Sequence, residues 1–97
     1  MFEIETTELF DKWRNKLKDV VAQDRIRARL VLMSRGILGD TKPVGKGVFE
    51  ARIHYGAGYR LYFTSKENKT ILFLYGGDKN TQATDIKKAQ DLAKELK

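Results

Sequence analysis

The 97-residue chain has no cysteine, a single histidine, a single proline and no apolar run near the roughly 18 residues that span a bilayer. Without thiols, neither disulfides nor thiolate metal sites are available, and no oxidising compartment is needed. A zinc site would have to rest on carboxylates around the lone His54, so no metal is expected. The opening residues, MFEIETTELF, lack the basic start and long apolar region of a signal peptide, so the chain reads as cytoplasmic with no membrane partner. Neither GxGxxG nor the Gly-Lys-Ser/Thr of a nucleotide loop occurs, and no cofactor is expected.

What remains is a small basic domain. Nineteen Lys and Arg against thirteen Asp and Glu give a formal charge of +6, which raises the local concentration and on-rate of polyanions but serves solubility equally well. At 41% apolar content, residues 1–97 fit one domain with one core. Phe2–Glu5 alternates and is expected to form a strand with Phe2 and Ile4 inward. Thr6 or Thr7 can cap a helix whose apolar stripe is Leu9, Trp13, Leu17 and Val20, which makes Trp13 a core residue rather than a base-stacking platform. Asp24 is a plausible cap for a second helix with stripe Ile26, Leu30, Met33 and Ile37, ended by Gly36 and Gly39. Leu38–Gly47, rich in glycine, reads as a loop whose Lys42 and Lys46 could reach a phosphate held on a neighbouring sheet. Thr70–Tyr75 is apolar at both alternating sets, as a central strand is. Ile86, Ala89, Ala93 and Leu96 give the last helix a thin stripe.

The stretch from Val48 to Gln82 carries the chemistry. Phe49, Ala51 and Ile53 alternate with Glu50, Arg52 and His54, and Tyr59, Leu61 and Phe63 alternate with Arg60, Tyr62 and Thr64. An odd-numbered loop keeps both oily sets on one face, and Gly56-Ala57-Gly58 supplies three residues, a register that seats Arg52 and His54 beside Arg60 and Tyr62. Arginine suits a phosphodiester because its planar fork donates paired hydrogen bonds and stays charged. Arg52 and Arg60 are therefore candidates to clamp a scissile phosphate and stabilise its transition state, Tyr62 to contact RNA beside them, and His54 to pass a proton near neutrality. A bland alternative pairs Arg52 with Glu50, Glu67 or a helix carboxylate and leaves His54 a satisfied polar residue. After the strand, Gly76-Gly77 and a helix start leave free N–H groups, to which Lys79 adds charge and Asn80, Thr81 and Gln82 add donors; a plain turn capped by Asn80 or Thr81 fits equally well. The order strand, helical hairpin, three-stranded antiparallel meander, C-terminal helix is α+β, with helices on one face of the sheet and the other face at least partly open.

The segments FEI, KPVGKGVFEARIHYGAGYRLYF and LFLYGGDKNTQATDIKKA make the chain resemble toxins of the RelE/ParE superfamily, most closely the HigB-like addiction-module killer proteins, over essentially its full length. The resemblance implies a RelE-like fold related to microbial ribonucleases, a cognate antitoxin that is a small helix-turn-helix protein, and cleavage of mRNA on the ribosome as a metal-independent mRNA interferase. It matches Arg60 in GYRLYF to the strand arginine used on the scissile phosphate, Arg52 in FEARI to the arginine of an E-x-R-I strand, and Lys79 in GGDKNTQ to a basic position at the end of the last strand. His54 has no dependable counterpart in the superfamily. A ParE-like, non-catalytic action on DNA gyrase and an inactive relative are the alternatives.

Overall fold

The computed structural model describes residues 1–96. Five strands and three α-helices follow one another as β1 (Glu3–Thr6), α1 (Glu8–Asn15), α2 (Val20–Ser34), β2 (Thr41–Gly45), β3 (Val48–Ile53), β4 (Tyr59–Lys66), β5 (Thr70–Gly77) and α3 (Gln82–Glu95), with a 3₁₀ turn at Lys79–Thr81. One sheet has the order β1-β5-β4-β3-β2. The expected antiparallel meander is β3-β4-β5, and two edge strands extend it. On one side β1 pairs parallel to β5; on the other β2 pairs antiparallel to β3. The loop expected over Leu38–Gly47 is thus largely a strand. Its Pro43 is tolerated because an edge strand needs hydrogen bonds on one side only, and the register shifts between Pro43 and Gly45.

The helices divide between both faces, a correction to the one-sided arrangement expected. Phe10 of α1 and Ala22, Ile26, Leu30 and Met33 of α2 pack with Ala51, Ile53, Leu61, Phe63, Ile71 and Phe73 on one face. Val48, Tyr62, Leu72 and Leu74 meet Ala89 of α3 on the other. Burial on both sides is why β5 is apolar at every position from Ile71 to Leu74.

The helix boundary also moves. Thr7 caps α1 by accepting from the Phe10 N–H at 3.0 Å, and its hydroxyl donates to the Leu74 carbonyl at 2.7 Å, tying the helix to β5. Helix α1 stops at Asn15, because Asp19, not Asp24, caps α2 by accepting from the Val21 and Ala22 N–H groups. Asp24 is occupied by Arg27 at 3.0 Å. The expected stripe therefore crossed a helix break: Phe10 is fully buried, whereas Leu9 and Val20 are exposed.

Candidate active site

The site lies at the end of the sheet where β3 and β5 finish and β4 begins. Arg52 pairs with Arg60 and Arg60 with Gly77, so one row crosses three strands and delivers Lys79 two residues beyond it. The parity expected for the hairpin holds, with Ala51 opposite Leu61 on the oily face, but the register differs by two residues. The connection has five residues, 54–58, because Tyr55 turns toward α2 and donates its hydroxyl to the Asp19 carboxylate at 3.0 and 3.2 Å, under the Arg25 guanidinium. His54 is thereby released from the ladder, and Glu50, not Arg52, faces Tyr62.

Glu50 organises this face and was the functional residue the sequence reading missed as such. It is fully buried, yet receives Arg52 Nε at 3.0 Å, Tyr62 Oη at 3.1 Å and Gln82 Nε2 at 2.8 Å, with Arg60 Nε 3.8 Å away. Burial pushes its carboxyl up, but the bonds from Gln82, Arg52 and Tyr62 and the Arg60 charge outweigh it and hold the group below the usual carboxylate range. Burial and the Glu50 charge push the Tyr62 phenol well up, so it stays protonated and donates. Tyr62 has no exposed surface, and its ring packs under α3; it buttresses Glu50 and presents no face to a base.

Two guanidinium groups sharing one carboxylate leave one positive charge over. Arg60 is mostly buried, and its Nε is the one buried side-chain nitrogen or oxygen among the described residues without a hydrogen-bond partner. Its only bond is a long one, Nη1 to the Gly58 carbonyl at 3.5 Å. Arg60 is thus immobilised with its donors largely unspent, the condition of a group built to receive an anion. It lines an open depression of about 430 Å³ with His54, Tyr55, Gly56, Ala57, Gly58 and Lys79. Gly58, at φ +75°, forms part of this wall: a Cβ there would lie 3.3 Å from Lys79 Cβ and 3.9 Å from Arg60 Nη1.

His54 stands at the rim, exposed, with Nε2 on the Asp40 carboxylate. That hydrogen bond, assisted by the charges of His54, Arg52 and Arg29, keeps the Asp40 carboxyl below the usual carboxylate range despite some desolvation. The Asp40 backbone is pinned as well. Arg29 of α2 donates to the carbonyls of Leu38 (2.9 Å), Asp40 (2.8 Å) and Arg52 (2.7 Å), and the Arg52 N–H donates to the Asp40 carbonyl at 2.9 Å.

The structure therefore brings together Arg60, His54 and Lys79, with Arg52 alongside through Glu50. It does not bring Lys46, which sits at the β2–β3 turn, at the opposite end of the sheet, beside a separate groove floored by Leu72, Leu74 and Ala93. Lys42 is exposed on the edge strand, opposite Glu50. The glycine pair is inside β5, so its N–H groups do not form an open anion nest. Gly76 lacks a side chain because the Trp13 ring lies on it, and Gly77 because Asp85 and Thr81 do. Asp78 caps the 3₁₀ turn by accepting from the Asn80 N–H at 2.8 Å, while Thr81 accepts from the Asp78 N–H in return and stands at the N-cap position of α3 without a side-chain cap bond. Thr81 donates to Asp85, whose carboxyl burial pushes up, and Gln82 is spent on Glu50; Asn80 is exposed. No cluster of three or more potential metal ligands occurs among the described residues, and no helix among them is long and apolar enough to cross a membrane.

Comparison with known proteins agrees with this architecture. An uncharacterized protein of Haemophilus influenzae is 46% identical over 94 residues, covering 97% of this chain and 95% of that protein. A free-state mutant of the Escherichia coli toxin RelE superposes with a TM-score of 0.74 at 16% identity, covering 99% of this chain and 98% of that one. The toxin–antitoxin complex RelBE2 of Mycobacterium tuberculosis gives 0.56 at 25% identity over 80% of this chain and 98% of the other, and the intact E. coli RelBE complex 0.63 at 18% over 80% and 96%. The family described as phage-derived protein Gp49-like (DUF891) matches residues 12–97, and the chain, with the fold of the RelE toxins, belongs to this Gp49-like family.

Proposed function

We propose that this protein is the toxin of a RelE-type toxin–antitoxin pair and that it arrests growth by cutting mRNA on the ribosome. The observation that carries the reading is Arg60: a mostly buried guanidinium whose one hydrogen bond among the described residues is a long one to the Gly58 carbonyl, lining a depression that also holds His54 and Lys79. A phosphodiester placed there meets the Arg60 guanidinium, with Arg52 alongside on Glu50. The 2′-hydroxyl oxygen of the preceding ribose attacks phosphorus as the bond to the 5′-oxygen breaks. His54 takes the 2′-hydroxyl proton, the Lys79 ammonium supplies one to the departing 5′-oxygen, and Arg60 with Arg52 stabilises the extra negative charge of the pentacoordinate transition state. The products are a 2′,3′-cyclic phosphate and a 5′-hydroxyl end, with no metal in the scheme. Asn80 and Lys42, both exposed, add contacts to flanking phosphates in this reading.

The partner in this reading is a cognate antitoxin, supported by the fold shared with two toxin–antitoxin complexes. Expression of the chain alone in growing bacteria, followed by mapping of mRNA ends on ribosomes, tests the proposal. It predicts growth arrest and codon-positioned 5′-hydroxyl ends. Intact mRNA with DNA breaks dependent on gyrase supports the ParE-like action instead, and continued growth indicates an inactive relative.

A further inference from the structure

His54 is the only histidine, and what faces it is well defined. Asp40, from the α2–β2 connection, accepts at its Nε2; Arg60 and Lys79 share the depression it borders; Arg52 precedes it on β3, and Arg29 of α2 reaches the same corner. Asp40 reaches it in a fixed pose. Its carbonyl is held by Arg29 and by the Arg52 N–H, and the preceding Gly39, at φ +71°, lies so close that a Cβ would stand 3.0 Å from the Arg29 guanidinium. Arg29 thus ties together three carbonyls at this corner, those of Leu38, Asp40 and Arg52, and so fixes the backbone of the aspartate whose carboxylate touches the histidine. A merely soluble surface carboxylate has no such requirement.

We propose that Asp40 is a positioning residue for His54, fixing the imidazole with its proton on Nε2 so that Nδ1 is the atom that accepts the 2′-hydroxyl proton. The inference rests on the ribonuclease reading above. A carboxylate acceptor permits only one neutral tautomer at Nε2, because an unprotonated Nε2 would put two lone pairs against each other. Proton transfer therefore has a defined route: the 2′-hydroxyl O–H bond breaks, an Nδ1–H bond forms, and the imidazolium that results stays bonded to Asp40 through Nε2–H until solvent removes the Nδ1 proton. Arg29 stands one step further back, holding Asp40 rather than the imidazole.

The lone histidine makes the test direct. Nitrogen-15 NMR of the imidazole, on the unaltered chain and on Asp40→Asn, reads the tautomer without any substrate. The carboxamide can donate as well as accept, so it no longer selects. The unaltered chain is expected to show the neutral ring with its proton on Nε2 and the variant a mixture. Single-turnover cleavage of ribosome-bound mRNA by Asp40→Asn and Asp40→Ala should fall about two- to fivefold, as for an exposed pair, with substrate affinity unchanged. Both variants should remain folded, since the pair is exposed. A mixed tautomer in the unaltered chain overturns the proposal, as does an unchanged cleavage rate in both variants or in His54→Gln. Failure of the unaltered chain to cleave any mRNA overturns the ribonuclease reading, and the catalytic half of this inference with it; the two failures are distinguishable because failure of the Asp40 proposal alone leaves cleavage by the unaltered chain intact.

Discussion

Replacing Glu50 with glutamine tests whether the site is held together from beneath. The carboxylate is fully buried and faces four donors: Gln82 at 2.8 Å, Arg52 at 3.0 Å, Tyr62 at 3.1 Å and Arg60 at 3.8 Å. Glutamine has nearly the same shape but no charge, and its amide nitrogen would point a donor at other donors. Leaving the partly buried Arg52 and the buried Arg60 without their counter-ion should cost about 3–5 kcal/mol, the usual range when one member of a buried pair is removed. In a domain of this size each kcal/mol lowers Tm by roughly 4–8 °C, so the melting point should fall by roughly 12–40 °C. The pH dependence carries a sign of its own. The folded carboxyl lies below its ordinary value of 4.5, so its contribution is fully present above that pH and is lost as pH falls through the folded value. Urea unfolding of both chains at pH 7 and again at progressively acid pH measures the gap, which should narrow below pH 4.5. A glutamine variant within about 0.5 kcal/mol of the parent at pH 7, the range of an ordinary surface substitution, would refute the reasoning.

Gly76→Ala should destabilise the fold by about 1–3 kcal/mol, read from the denaturation midpoint, because the new methyl group collides with the Trp13 ring. Arg29→Gln removes three charge-assisted bonds to carbonyls and should cost about 2–3 kcal/mol, with faster amide exchange at Arg52 than elsewhere in β3. Lys79→Ala, at an exposed position, should leave the melting point unchanged while lowering single-turnover cleavage of ribosome-bound mRNA about tenfold or more.

The two-residue alternation of β3 and β4 made the oily face and its parity legible, since one apolar set can be buried only one way round. The exact rung was not legible. It depends on Tyr55 reaching Asp19 of α2, a contact 36 residues away in sequence, and that contact lengthens the loop to five residues. Helix α1 was overextended because Leu17 and Val20 happen to continue its spacing across a break that Asp19 creates. Strand β2 was hidden by its proline and its glycine, which an edge strand tolerates. Arg52, Arg60 and Lys79 stood out by residue type, and the sheet gathers them because Arg52, Arg60 and Gly77 share a row. Tyr62 and Gln82 were misread as surface donors, because nothing in their local spacing reveals that α3 closes over this face and turns both onto Glu50. Glu50 itself looks like an ordinary outward strand carboxylate; the one available signal was its position two residues from one arginine and, once the register is known, diagonal to another.

In the proposed reaction the Arg60 guanidinium receives the scissile phosphate. Single-turnover cleavage of a defined ribosome-bound mRNA by Arg60→Lys, alongside the parent, tests it most directly, because lysine keeps the charge and removes the fork. Cleavage should fall about 100-fold or more, the usual consequence of losing one positioned transition-state donor, with mRNA ends that remain 5′-hydroxyl. A rate within threefold of the parent, in a variant that melts at the same temperature, would contradict it.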